Sequence, residues 1–138
     1  RTTHFINAFG EELMVDSAEK ALMVACQKTD AIISEYTVAP VYLESDTKAA
    51  HEWLIECEQK PSDMNLFIST LDNELMKLNS DYEAKRSNNI LLQPPIVQFV
   101  PQGTFLAWLS SRKRLGGQYK IARLSNNRDL IEEIKQLI

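Results

Sequence analysis

Two β-rich runs separated by a short polar stretch constrain this chain more tightly than any other feature. Ala31 to Tyr42 is dense in Ile, Val, Thr and Tyr, and Ala50 to Cys57 sets Trp53, Ile55 and Cys57 on one face at alternating positions. Between the runs, Glu44-Ser45-Asp46-Thr47-Lys48 is polar and turn-like. The pattern predicts a long antiparallel hairpin. Pro40 has no amide hydrogen to give a central ladder and belongs at an edge or a bulge. A hairpin cannot bury its apolar face alone, so other elements must cover it.

The cover reads as helices. After Pro61-Ser62, the residues Met64, Phe67, Ile68, Leu71, Leu75 and Leu78 recur at helical spacing, with Asp72, Glu74 and Lys77 in other directions. An earlier helix is expected to end near Lys28, its stripe made of Ala18, Ala21, Leu22 and Ala25. Asp16 and Glu19 stand at the spacing of a reciprocal helix cap at its start. Gly103 or Thr104 opens a short helix facing inward through Phe105, Trp108 and Leu109, and a last one from about Asn127 uses Leu130, Ile131, Ile134 and Leu137. Short strands are expected from His4 to Phe9 and from Ile96 to Val100, with turns at Gly10-Glu11-Glu12 and from Ser87 to Asn89. These elements predict an α+β fold, one mixed or antiparallel sheet with helices packed over it. At 138 residues the chain fits a single domain, 1–138.

Several function classes fall away. Nineteen acidic against fifteen basic residues give a formal charge of -4, which offers no field to draw in nucleic acid or an anionic membrane. Arg112-Lys113-Arg114 is a local exception, without an aromatic stacking platform for RNA beside it. No apolar run approaches the roughly 20 residues that span a bilayer, and no secretory signal opens the chain, so a cytoplasmic protein is expected. Cys26 and Cys57 have no metal spacing and read as packed thiols; His4 and His51 lack a third ligand at a recognisable spacing, and His51 reads as a decoration of the strand that holds Trp53. Asp81 and Glu83 read as solvated acids in a loop, and Tyr82 with Arg86 as a brace within the domain or against a neighbouring body. The absence of an initiator Met makes a preceding segment an expectation.

The segment with most chemical content runs from Arg112 to Arg123. Adjacent glycines, Gly116 and Gly117, permit backbone paths closed to other residues and separate the basic helix end from Lys120. An ammonium on a long stem suits a phosphate or carboxylate whose charge changes during reaction, although an exposed lysine in solvent has the same sequence appearance. The glycine spacing is not that of a Walker loop.

Gly116-Gly117-Gln118-Tyr119-Lys120-Ile121-Ala122-Arg123 is similar to the Gln-Tyr-Lys-x-Pro-Arg region in the C-terminal domain of the auxin-responsive acyl-acid amido synthetase family. Gly103-Thr104-Phe105, the Tyr82 to Arg86 segment, and Phe5-Ile6 leading through Leu13 and Val15 to Asp16 follow the family order along nearly the whole chain. The resemblance implies a mobile C-terminal lid of an adenylate-forming enzyme. Such an enzyme uses ATP and Mg²⁺ to activate an acyl acid as its adenylate, then transfers the acyl group to the amine of an amino acid. An N-terminal adenylation domain in cis is the implied partner. By the same resemblance Lys120 is the catalytic and nucleotide-binding lysine, Arg123 matches the motif arginine, and Lys20 lies near a second family lysine. Ala122 stands where the family pattern has proline. The competing expectation is a non-catalytic protein-binding or regulatory domain.

Overall fold

Alternation of buried and exposed side chains decides the sheet, and helical stripes decide what covers it. The structure, a computed structural model, describes residues 5–43, 47–87, 91–114 and 120–138. Its elements in chain order are β1 (Phe5–Ile6), β2 (Leu13–Met14), α1 (Val15–Thr29), β3 (Ile32–Leu43), β4 (Lys48–Gln59), α2 (Met64–Leu78), α3 (Ser80–Arg86), β5 (Ile96–Val100), α4 (Thr104–Arg114) and α5 (Asp129–Lys135).

β3 and β4 form the expected antiparallel hairpin, with Val38 opposite Trp53 and Pro40 opposite His51. The 44–46 part of its turn lies outside the described residues. α2 and α3 carry the chain back across the sheet, so β5 joins β4 in parallel and the order is β3-β4-β5. Pro40 thus sits on an edge strand. The sheet is mixed and carries helices on both faces. Tyr36, Val38, Trp53, Ile55 and Cys57 pack with α1 and α2 on one side, while Ala39, Leu54 and Val100 meet Phe105, Trp108, Ile131 and Ile134 on the other. Phe67, Leu71 and Leu75 of α2 are fully buried, each worth roughly 1.5–3 kcal/mol relative to exposure.

Four local expectations change. The first strand stops at Ile6, because the Glu11 carboxylate takes the Ala8 and Phe9 amides and turns the chain through Gly10, whose φ of 97° glycine adopts without strain. β1 instead pairs with β2 as a separate two-stranded ribbon. The Asp16–Glu19 cap does not form: α1 starts directly from extended Met14, which makes no side-chain cap bond and leaves Asp16 inside the first turn. Asp16 pairs with Lys20 at 3.1 Å, and Glu19 turns to Tyr36 and Arg123. Asp72 is on the buried side of α2, 6% exposed, rather than among its outward residues. Asp81 and Glu83 lie in the first turn of α3, not in a loop, and both are exposed.

α2 is capped by Asp63, which accepts from the Leu66 amide at 3.1 Å. Asp63→Ala is expected to cost about 1 kcal/mol, read as a lower urea midpoint at unchanged denaturant slope. An unmoved midpoint would show that this bond does not stabilise the helix. Cys26 and Cys57 are free thiols, and burial pushes the Cys57 thiol up to about 11. Among the described residues no helix is long and apolar enough to cross a membrane.

Candidate functional site

The segment after Lys120 is stitched to the open edge of β3. The Val38 amide donates to the Arg123 carbonyl at 2.8 Å, the Ser125 amide donates to the Val38 carbonyl at 3.0 Å, and the Thr37 hydroxyl donates to the Ala122 carbonyl at 2.7 Å. Leu124 bridges Val38 and is buried among the α1 and α2 side chains. Ile121 packs on the opposite side of the sheet, with the residues under α4 and α5. The segment therefore wraps around the sheet edge, one apolar anchor on each face.

Lys120 stands just before the first stitch. It is exposed, and its ammonium forms no hydrogen bond or ion pair with a described residue. It borders a depression of about 270 Å³ shared with Trp108, Arg112, Asn127, Asp129 and Glu133. Within that depression Arg112 is already committed: it pairs with Glu133 and lies 5.8 Å from the Trp108 ring centre, and the Trp108 indole donates to the same carboxylate at 3.0 Å. Gly116 to Tyr119, which carry part of the motif, and the side chains of Lys113 and Arg114 lie outside the described residues, as does His4.

Arg123 has a different setting. Its Nε donates to Glu35 of β3 at 3.1 Å, another guanidinium nitrogen pairs with Glu19 of α1, and its plane sits 5.2 Å from the Tyr36 ring centre. Tyr36 completes the cluster by donating its hydroxyl to Glu19 at 3.0 Å. Burial works against the charge on Arg123, yet Glu19 and Glu35 outweigh it and hold the pKa above the ordinary arginine value. Burial and the neighbouring Glu19 carboxylate push the Tyr36 phenol up as well. Beside the cluster, Leu22, Met23, Cys26, Ile32 and Ile33 line an apolar cleft of about 350 Å³. Lys20 is next to Glu19 in sequence, but it points along the exposed surface to Asp16.

Sequence reasoning missed the two glutamates that hold Arg123. Glu35 interrupts a β-rich run, and an acid in such a run is the signal that a cation is sought there. It also read His51 as a strand decoration; the ring is instead 1% exposed and bonded to the Glu11 carboxylate at 2.7 Å. Among the described residues no group of three His, Cys, Asp or Glu side chains could hold a metal ion.

With this geometry in place, a family model described as the GH3 family C-terminal domain matches residues 16–129. The chain belongs to the GH3 family. This bears out the resemblance drawn from the ordered landmarks between Phe5 and Arg123. The GH3 domain also shares its fold with a solved structure of GH3.15 acyl acid amido synthetase, at 18% identity and a TM-score of 0.75, over 99% of this chain and 25% of that one. A second similar structure, AtGH3.15 acyl acid amido synthetase in complex with 2,4-DB, gives 16% identity and a TM-score of 0.73, over 99% of this chain and 26% of that one. The GH3 domain thus spans about a quarter of the length of the solved chains it matches. No curated protein matches it.

Proposed function

We propose that this GH3 domain is the lid of a longer, ATP-dependent acyl-acid amido synthetase. In this reading an N-terminal adenylation domain in cis holds ATP and the acyl acid, and the lid closes to bring Lys120 to the reacting phosphate. An acyl-adenylate forms with release of pyrophosphate, and its acyl group then passes to the amine of an amino acid. The observation that carries the reading is the contrast between cations: Lys20, Arg112 and Arg123 are each paired with a carboxylate, whereas the Lys120 ammonium is exposed without such a partner among the described residues.

The chemistry matches the placement. Adenylation brings two anions together, a carboxylate and the α-phosphate, and a positive charge held at that point lowers the cost of the changing phosphate charge. Closing a lid also excludes water that would hydrolyse the adenylate. Mg²⁺ accompanies ATP in such chemistry and screens its phosphate charge; no described side chain of this domain is assigned to it. A cytoplasmic enzyme, with ATP and free amino acids at hand, fits this reading.

Lys120→Ala in the longer enzyme is expected to lower acid-dependent conversion of ATP to AMP by about 100-fold, the size of effect seen when one preorganised electrostatic contact is removed. Domain stability should stay unchanged, since the side chain is exposed. Turnover equal to that of the parent enzyme would sink the role of Lys120.

A further inference from the structure

Lys120 and Arg123 belong to one motif, yet the fold sends them to different faces of the sheet. Lys120 borders the depression beside Trp108 and Leu130, on the face covered by α4 and α5. Arg123 lies over Tyr36, on the face covered by α1. The backbone passes around the edge of β3 between them. Two cations placed in this way do not converge on one phosphate.

Arg123 is also occupied. Its planar fork reaches two carboxylates that come from separate elements, Glu19 on α1 and Glu35 on β3. A guanidinium is suited to such a bridge, because its donors are fixed in one plane and spread over a wide angle. Moving it to a nucleotide would leave two carboxylates without their counter-charge and set them against an anionic ligand. The Tyr36 hydroxyl donates to Glu19 and adds a further contact within the cluster.

We propose that Arg123 is a positioning residue for Lys120: clamped by Glu19 and Glu35 over Tyr36, it stops the segment from sliding along the β3 edge and so fixes the backbone from which Lys120 projects. This rests on the reading of Lys120 given above. The stitches at Ala122, Arg123 and Ser125 set the register of the segment, and the clamp ties that register to α1 as well as β3. Ile121 is the only residue between Lys120 and the first stitch, so a shift of the segment is passed to the ammonium with little slack.

The test is a set of variants of the longer enzyme, assayed by acid-dependent AMP release, with urea unfolding recorded for each to separate loss of fold from loss of position. Arg123→Ala and the double variant Glu19→Gln/Glu35→Gln are both expected to lower kcat by about tenfold or more, as displacement of a catalytic group does, with KM for ATP within about twofold. In a Lys120→Ala background neither change should lower turnover further, because a residue that acts only through Lys120 has nothing left to position. A damaged fold would instead add its loss to that of Lys120→Ala. Two results would overturn the proposal: losses that add to Lys120→Ala, or a Glu19→Gln/Glu35→Gln enzyme as active as the parent while Arg123→Ala is impaired, which would mean that the arginine meets the ligand itself. Undiminished turnover in Lys120→Ala alone would take down the reading of Lys120 and this proposal with it, whereas additive losses beside an impaired Lys120→Ala would take down only the proposal.

Discussion

Asp72→Ala is expected to cost the domain about 3–5 kcal/mol of folding free energy, because it removes one half of a buried ion pair and leaves the other half in place. Both side chains of the Asp72–Arg86 pair are 9% exposed. One Asp72 oxygen accepts from Arg86 Nε at 2.9 Å and from the Tyr82 hydroxyl at 2.8 Å, and the second oxygen pairs with another guanidinium nitrogen. The hydrogen bond to Asp72 raises the Arg86 pKa against the opposing pull of burial. Truncation therefore takes the carboxylate away from a guanidinium that keeps its charge and its bond to the Leu92 carbonyl, and removes the acceptor of a phenol that is 1% exposed. The Tyr82 ring sits between this pair and His51, at 5.6 Å between ring centres, so disorder at Asp72 reaches the sheet. Urea unfolding should show the midpoint falling at constant slope, and Asp72→Asn should lose less, since an amide oxygen at the Oδ1 position still accepts from Arg86 Nε and the Tyr82 hydroxyl and only the bond to the second oxygen is lost. A loss under about 1 kcal/mol for the alanine variant would show that the network adds little to stability.

What could be read in advance follows from how local each signal is. The hairpin was legible because β-rich composition and alternation are written within each strand, and α2 was legible because Phe67, Leu71 and Leu75 repeat at its own period. The β1–β2 ribbon was not, since two residues per strand carry no pattern. Acids were the main blind spot. Asp72 meets Arg86 across 14 residues, Glu11 meets His51 across 40, and Arg123 meets Glu35 and Glu19 across 88 and 104. A carboxylate with a distant partner looks in sequence like one in solvent, and only the fold tells them apart. The same limit governed the candidate site. The motif drew attention to Lys120 and Arg123 together, but their separation depends on the chain wrapping the β3 edge, and that path depends on Val38, a residue with no polar side chain to announce it.

Glu11→Ala is expected to destabilise the domain by about 3–5 kcal/mol near neutral pH and to flatten its loss of stability in acid. The carboxylate is fully buried and accepts three bonds of 2.7 Å, from the Ala8 amide, the Phe9 amide and His51 Nε2. An ionised carboxylate can only accept, so Nε2 carries the proton on that side of the ring. His51 Nδ1 is buried and has no hydrogen-bond partner among the described residues, so among them Glu11 supplies the hydrogen bond that orients the imidazole. The same residue fastens the turn before α1 to the rest of the domain, because its backbone carbonyl accepts from the Asn79 side chain at 2.7 Å. Burial opposes the charge on Glu11, but the bonds from His51, Phe9 and Ala8 outweigh it and hold the carboxyl below the usual range. A folded pKa below the unfolded one means that ionised Glu11 stabilises the native state fully above its unfolded value of about 4.3, and that this contribution drains away as the pH falls through the lower folded value. Glu11→Gln separates the two roles: its amide oxygen still accepts from one of the two turn amides, so it should lose less stability than alanine, yet it cannot titrate and should share the flattened acid limb. Urea midpoints of the three proteins between about pH 3 and 7 would measure both effects. An acid limb as steep in Glu11→Gln as in the parent domain would assign the acid sensitivity to other carboxylates and remove Glu11 from the account.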